Sequence, residues 1–484
     1  MQKSRLLAII PGLAILGVLV SVGGVNHASA QQYTANQSGI QFSCFQTDEA
    51  TGEYLLDEEG FLIPCEINSG DNAWMLTASA LVLVMTPAGL AMFYGGLARH
   101  KNAVSTIHMV FMAVGLVTIQ WVLWGYSLAF GPDATGHGFI GNFDWAGLNY
   151  VWHNVPSDVY AITIPHATFM IFQMMFAIIT PALIVAALAE RMKWSAFVVF
   201  VVIWATFVYD FAAHWTWSLG SGGTAVGWTG ALPSLDFAGG TVIHITSGWA
   251  GLVIAIMLGR RLGYGKVPME PHNIPLIVLG AALLWFGWFG FNAGSAGAAG
   301  PNATSAFVAT QIATGVAALT WMLISWAHTG RPSTVGAASG AVAGLVAITP
   351  ASGFVGPMAA IIIGISASLV CYAAVVFKNR RKWDDALDTW AVHGMGGLAG
   401  ALLTGVFAQT IYTPIADGLA FGNPVQLLNN AIGAFAALAW AVGITALIIK
   451  VMDLVWPGGI RVTPKEEEVG LDLSQHGERA YVTE

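Results

Sequence analysis

The fold class this sequence predicts is an all-α polytopic membrane protein with eleven transmembrane helices arranged as an inverted five-plus-five repeat. Three observations predict it. Hydrophobic residues make up 56% of the 484-residue chain, charged residues 9%, and the mean hydropathy is +0.67, far from the composition of soluble domains. Eleven apolar stretches are long enough to cross a bilayer, allowing for tilt. Lys and Arg recur in every second loop and are absent from the loops between.

The chain opens with Lys3 and Arg5, an apolar core from about Leu6 to Val22, and the small-residue triplet Ala28-Ser29-Ala30. That order predicts a cleavable signal peptide over residues 1–30, with an uncleaved first span as the alternative. In either case the chain just beyond Ala30 is placed outside. Residues 31–72 are polar and acidic and form an extracytoplasmic segment. An oxidising compartment allows its two cysteines, Cys44 and Cys65, to pair. Cys371 lies in an apolar span and reads as a small buried hydrophobe.

The apolar stretches begin near Ala73, Ala103, Pro165, Ser195, Ala238, Ile274, Ala303, Thr334, Pro357, Thr389 and Val425. Together they define a transmembrane domain over residues 73–453, followed by a tail at 454–484. The eighth stretch is the shortest. Arg99 and Lys101 follow the first, Arg191 and Lys193 the third, Arg260, Arg261 and Lys266 the fifth, Arg331 the seventh, and Lys378 to Lys382 the ninth. Loops near 131–164, 218–237, 297–302, 350–356 and 413–424 hold no Lys or Arg. The positive-inside rule then puts the mature N-terminus outside and the tail in the cytoplasm of a cell (inner) membrane. The Arg380, Arg381 and Lys382 cluster reads as topology and lipid contact.

Glycines recur at four-residue spacing: Gly336, Gly340 and Gly344 in the eighth stretch, Gly290 and Gly294 in the sixth, Gly396 and Gly400 in the tenth. Such stripes let helix backbones approach closely in lipid, where apolar burial no longer drives association. Ten spans divide into two halves of five, and an odd number inverts the second half. His244 in span five and His393 in span ten then occupy matching positions.

Ionisable side chains inside a membrane segment are costly and mark a substrate or proton path. His244 and His393 sit in almost wholly apolar surroundings, and Asp236 precedes His244 by about two helical turns, roughly 12 Å. Asp236 also fits a plain helix N-cap. A single membrane histidine fits helix packing equally well; two at matching repeat positions favour a path. His108 and His166 read as structural histidines. Asp210, in Tyr209-Asp210-Phe211-Ala-Ala-His214, either faces water near the outer end of span four or hydrogen-bonds His214.

The run Asp236-Phe-Ala-Gly-Gly-Thr-Val-Ile-His244 resembles the signature of the ammonium transporters, the Amt, Mep and Rh superfamily, and within it the bacterial Amt branch. Similar runs are Thr86-Pro87-Ala-Gly-Leu-Ala-Met-Phe93-Tyr94, Ala189-Glu190-Arg191, Trp288-Phe289-Gly290-Phe291-Asn292-Ala-Gly-Ser295, Thr349-Pro350-Ala-Ser-Gly353, Asp384-Asp385 before Val392-His393-Gly394, and the tail Gly470-Leu-Asp472-Leu-Ser-Gln-His476-Gly477. The resemblance runs from about Ala73 to the C-terminus, and Asp210 departs from it.

The resemblance implies that Trp217, Phe176 and Ser295 form an outer recruitment site, with Asp236 and Thr349 beside it. It implies a phenyl gate of Phe176 and Phe291 and a pore lined by His244 and His393. Taken singly, the three aromatics would read as core or interfacial residues, Ser295 as a packing residue and Thr349 as a helix-end cap. Aromatic faces suit ammonium because cation-π attraction offsets lost hydration without a fixed countercharge that would trap the ion. Potassium has no hydrogen to donate and no proton to lose. The resemblance further implies a homotrimer, a regulatory tail carrying Gly470 and Asp472, and a PII-type signal protein as partner at the cytoplasmic face. It favours coupled proton movement over neutral ammonia conduction, and the histidine spacing is compatible with both.

The rival classes are an enzyme and a sensor. The histidines lack metal-ligand spacing, no cysteine joins them, and no nucleotide-binding glycine loop with Lys-Ser/Thr occurs, so no metal, cofactor, nucleic acid or catalytic activity is expected. An ammonium sensor with little transport is the alternative function. The expected partners are ammonium or ammonia and membrane lipid.

Overall fold

The computed structural model describes residue 34 and residues 42–48 and 51–481; the expected signal segment, 1–30, lies outside the described residues. The described helices α1 (Ser69–Leu97), α2 (His100–Phe130), α3 (His166–Leu188), α4 (Trp194–Trp217), α5 (Gly240–Leu258), α6 (Ile274–Gly294), α7 (Pro301–Thr329), α8 (Thr334–Ile348), α9 (Pro357–Arg381), α10 (Trp390–Phe407) and α11 (Pro424–Val455) match the eleven apolar stretches. Ten have membrane-crossing length and apolarity; α8, with 15 residues, is shorter. At 1.5 Å per residue α8 covers about 22 Å, less than a hydrocarbon core of about 30 Å. Its start is fixed by Ser333, whose side chain accepts the Gly336 N–H at 2.9 Å, and Pro350 lies just past its end. From Gly340 to Ile348 every residue is buried, so α8 packs against protein and has no lipid thickness to match.

Helix starts follow local chemistry. Proline occupies the first turn of α6, α7, α9 and α11, where its missing N–H is not needed. Asn68 caps α1 and Asn273 caps α6, each with its side-chain oxygen. Five spans carry a π-helical turn, in which one extra residue re-aims the side chains: Met85–Leu90, Trp121–Gly125, Ala205–Tyr209, Gly240–Ile245 and Trp390–Gly394. The last two hold His244 and His393, so the paired positions in the two halves share a backbone distortion as well as a residue type.

Residues 45–64 form a compact unit of their own, with antiparallel bridges Phe45 to Pro64, Thr47 to Tyr54 and Leu56 to Leu62. Cys44 and Cys65 flank it in sequence and are joined in a disulfide. Both belong to the second, larger unit, where the Cys44 N–H donates to the Pro156 carbonyl at 2.9 Å. Pro156–Ser157 (β1) pairs antiparallel with Ala161–Pro165 (β2), which leads into α3. α3 is the most enclosed span, with 89% of its apolar window buried, against 33% for α7. The bundle is therefore built around α3.

The glycine stripes do the packing expected of them. A Cβ at Gly340 would stand 2.5 Å from that of Trp321, and one at Gly344 2.6 Å from that of Ala317, both on α7. Gly290 and Gly294 face Leu81 and Ala78 of α1. The tightest crossing joins α5 to α10: a Cβ on Gly248 would land on the backbone of Gly394, and one on Gly397 would stand 2.9 Å from both His244 Cβ and the Gly240 carbonyl oxygen.

On one face of the larger unit the charges are tied together. Arg261 donates through Nη2 and Nε to Asp384 Oδ1 at 2.8 and 3.0 Å, and its backbone N–H reaches Oδ2 at 2.6 Å. Glu190 receives the Arg99 backbone N–H at 3.0 Å and pairs with both Arg99 and Arg261. Burial opposes the Asp384 charge, yet the Arg261 guanidinium holds its carboxyl below the usual carboxylate range. The segments after α1, α3 and α5 thus meet the segment before α10 on a single basic face. The tail closes over it. Asp472 accepts the N–H groups of Ser105 and Val104 at 2.8 and 3.1 Å, capping α2, and Asn102 accepts the Leu471 N–H at 2.8 Å. Gly470 has φ +101°, and a Cβ there would press 2.5 Å from the Lys101 carbonyl oxygen, so a side chain is excluded twice over.

Asp210 bonds differently from either expectation. It is fully buried, accepts from Gln120 Nε2 at 2.7 Å, and does not meet His214, which approaches Asp133 at 3.4 Å and the Ala129 carbonyl at 3.1 Å. The helix explains this: positions 210 and 214 share a face, but each side chain has a nearer partner on or just beyond α2. His166 is structural, bonded to the Tyr126 hydroxyl at 2.7 Å.

Gly248→Ala should push α5 off α10 and destabilise the protein by about 1–3 kcal/mol, the range for overpacking a tight contact. Thermal unfolding of the detergent-solubilised protein measures this; an unchanged midpoint would mean that the crossing is slack.

Candidate functional site

The buried histidines meet at that crossing. His244 and His393 approach to 3.2 Å between their Nδ1 atoms, with ring centroids 5.3 Å apart and planes inclined by 27°. His244 is 1% exposed and His393 3%, and His244 Nε2 has no hydrogen-bond partner among the described residues. A neutral imidazole has one N–H and one bare nitrogen. A hydrogen bond between two Nδ1 atoms therefore requires opposite tautomers, so that one Nε2 accepts and the other donates.

A file of aromatic rings leads to this pair. The Phe291 ring lies 6.2 Å from His244 at an interplanar angle of 21°. Phe176 lies over Phe291 at 4.3 Å. Trp217 meets Phe176 edge-on at 6.2 Å. Phe176 and Phe291 are fully buried, whereas Trp217 is half-buried at the far end of the file. Trp217 is fixed from behind, its Nε1–H donating to the Asp236 carbonyl at 2.9 Å.

Ser295 stands one helical turn beyond Phe291 and donates its hydroxyl proton to the Phe291 carbonyl at 2.9 Å. With its proton so placed, its oxygen is left to accept. A cavity of about 510 Å³ is lined by residues that follow Trp217 and Ser295 in sequence, Leu219 and Gly222 shortly after the first and Ala296 to Ala298 after the second, and by Asp158. All these belong to the face whose loops lack Lys and Arg.

Asp236 and Thr349 are both buried, and their polar atoms are engaged by the protein itself. Asp236 Oδ1 accepts the N–H groups of Gly239 and Gly240 at 2.9 and 2.7 Å, and Oδ2 those of Thr241 and Val242 at 2.8 and 3.1 Å. Both its oxygens are engaged in capping the π-helical start of α5. Thr349 is fully buried; its hydroxyl donates to the Leu345 carbonyl at 2.7 Å and accepts from Trp288 Nε1 at 2.8 Å. Trp288 in turn lies 5.4 Å from the His244 ring and 5.1 Å from Phe291. The contacts of Asp236 and Thr349 thus hold the residues that line the file: one fixes α5, the other fixes Trp288.

Sequence reasoning gave Trp288 no role, although it opens the run that ends at Ser295. Its spacing was the available signal: Trp288, Phe291 and Ser295 stand at i, i+3 and i+7 on one face of α6. Phe172, 4.8 Å from Phe176 and one turn before it, was equally legible.

The sequence profile of the Ammonium Transporter Family matches residues 73–481. The chain is 47% identical over 414 residues to the ammonium transporter of Bacillus subtilis, covering 85% of this chain and 98% of that one. It is 45% identical over 415 residues to ammonium transporter Amt1 of Archaeoglobus fulgidus, covering 86% of this chain and 100% of that one. The crystal structure of Saccharomyces cerevisiae Mep2 superposes with a TM-score of 0.78 at 36% identity, covering 86% of this chain and 94% of that chain.

Proposed function

We propose a mechanism from one premise: this chain belongs to the ammonium transporter family and is an integral membrane protein. Ammonium is recruited at Trp217, Phe176 and Ser295, where the indole and phenyl faces attract the cation and the serine oxygen accepts an N–H. It loses a proton there, and ammonia passes the Phe176 and Phe291 rings to reach His244 and His393. The observation that carries this reading is the unbroken file from Trp217 to the histidine pair, whose Nδ1 atoms lie 3.2 Å apart.

Physical chemistry supports each step. A cation can rest against aromatic faces weakly enough to leave again. A charged ion would lose nearly all hydration between two stacked phenyl rings, whereas neutral ammonia loses far less. Beyond the rings, bare and protonated imidazole nitrogens offer both an acceptor and a donor to ammonia, and they also offer the released proton a separate route. Potassium satisfies neither requirement: it cannot donate to Ser295 and cannot shed its charge at the gate. The paired nitrogens support the coupled-proton reading, because a proton shared between them gives the released proton a route apart from ammonia.

The Lys and Arg pattern supports a cell (inner) membrane location with the Trp217 end outside and the tail in the cytoplasm. The signal segment 1–30, outer segment 31–72, transmembrane domain 73–453 and tail 454–484 accord with that orientation. A homotrimer and a PII-type partner at the tail face extend the same family reading. Asp472 and Gly470, which fasten the tail to α2, make it a suitable part for such a partner to grip.

Ammonium-driven current recorded from purified protein in supported bilayers tests the mechanism. His244→Ala or His393→Ala should assemble normally but lose the current or begin to pass potassium. Wild-type current with full potassium discrimination in both would remove the pore assignment. Trp217→Leu should weaken ammonium recruitment by about 0.5–2 kcal/mol, seen as a raised half-saturating concentration at unchanged maximal current. For orientation, a reporter fused after Lys382 should be cytoplasmic and one inserted near Asn142 external; both on one side would refute the proposed topology.

A further inference from the structure

We infer that the loop between α5 and α6 and the tail together form a binding site for a phosphate-bearing anion, separate from the conduction path. The site is a cavity of about 350 Å³ on the basic face, lined by Arg260, Arg261, Tyr264, Lys266, Arg461 and Glu467 among others. Its volume lies at the lower end of small-ligand pockets, about 300–1,000 Å³.

The charges in this cavity are not balanced. Arg261 is neutralised by Asp384 and Glu190, and Arg461 by Glu467. Glu467 is already shared, since its other oxygen accepts the Leu262 N–H at 2.5 Å. Arg260 uses only Nε, donating to the Lys382 carbonyl at 3.0 Å, which leaves its two terminal amino groups without a partner among the described residues. The Lys266 ammonium has neither a hydrogen bond nor an ion pair among them; only the backbone N–H of this residue is engaged, donating to the Gly263 carbonyl at 2.9 Å. Two cations therefore border the cavity with no anion assigned to either. One is a planar fork held at its Nε, suited to bidentate contact with phosphate oxygens; the other is a mobile point charge.

The positive-inside rule accounts for Lys and Arg in this loop, but not for their folding into a shared cavity with the tail. That second wall is built. Arg461 Nη1 and Nη2 donate to the carbonyls of Leu258 and Arg260 at 2.6 and 2.7 Å. Thr463 and Glu466 form a reciprocal capping box that starts the short helix α12 (Pro464–Val469). An anion held by Arg260 and Lys266 would lie between the loop and this wall, adding to the contacts that Arg461 and Glu467 already make between the tail and the end of α5. Occupancy would therefore stiffen the tail.

The ligand chemistry has two sources, a soluble phosphate compound or the headgroup of an anionic lipid, and the test separates them. Hydrogen exchange of residues 259–270 and 461–471 is followed in the full-length protein. One arm adds inorganic phosphate or pyrophosphate in detergent. The other compares nanodiscs of phosphatidylglycerol with nanodiscs of phosphatidylcholine. Exchange in both segments should slow in at least one arm. R260Q/K266Q should raise the half-saturating concentration, or the phosphatidylglycerol fraction required, by about tenfold or more, as expected for losing a charge-assisted hydrogen bond. The charge-conserving R260K/K266R should retain most of the effect, and both variants should keep the wild-type unfolding midpoint and ammonium current. Protection by phosphate or pyrophosphate identifies a soluble ligand, and protection by phosphatidylglycerol alone identifies a headgroup. No protection in either arm, or protection that survives unchanged in R260Q/K266Q, overturns the site.

Discussion

The arrangement of the path rests on how closely α5 and α10 cross. Only hydrogen atoms fill the space where Gly248 meets Gly394, and Gly397 lies equally bare against the start of α5. His244 and His393, one helical turn or less from that contact, are thereby brought near enough for one proton to lie between them. A methyl group at the crossing would part the helices by more than a hydrogen bond can stretch. The π-helical turns at Gly240–Ile245 and Trp390–Gly394 then aim the two imidazoles at each other. Backbone proximity sets the distance, and the added residue in each turn sets the direction.

The remaining polar chemistry is arranged so that little of it is left for a passing cation to bind irreversibly. Asp236, whose backbone carbonyl holds Trp217, has its carboxylate occupied by four backbone N–H groups. Thr349 is occupied twice over. Among the described residues the ion pairs made by Lys and Arg lie on the basic face, where Asp384, Glu190, Arg99, Arg191 and Arg261 knit loop ends together at the rim of the bundle. The path itself is left with aromatic faces, one hydroxyl oxygen and two imidazoles. That is a set of weak, oriented attractions rather than a charge.

Much of this was legible in the sequence, for identifiable reasons. Helix number and position follow from apolar length, and the shortness of α8 from the Ser333 and Pro350 that bound it. Glycine stripes announced close packing of α8 and α6, because a four-residue spacing survives as a line on a helix, but not that the partners are α7 and α1. The Gly248 crossing was hidden, since the glycines that meet there, Gly248 against Gly394 and Gly397 against the start of α5, do not form one four-residue stripe. Asp210 was misread because sequence shows the neighbour four residues away and not Gln120, ninety residues distant. The roles of Asp236 and Thr349 depend on how many hydrogen bonds each side chain already makes, and no residue pattern records that count.

A pair of imidazoles bonded through Nδ1 has a direction, and using it reverses it. When a proton enters at the bare Nε2 of one ring, the shared proton hops across and the Nε2–H of the other ring leaves. Both rings then carry their protons on the opposite nitrogens. The pair now points the wrong way for a second proton travelling in the same sense. It returns to its starting polarity only if both rings turn over or a proton runs back. Turning is hindered here, since Trp288 and Phe291 stack on His244 and the Gly397 backbone lies against its Cβ. In the proposed relay, resetting the pair is therefore a step distinct from the hop itself.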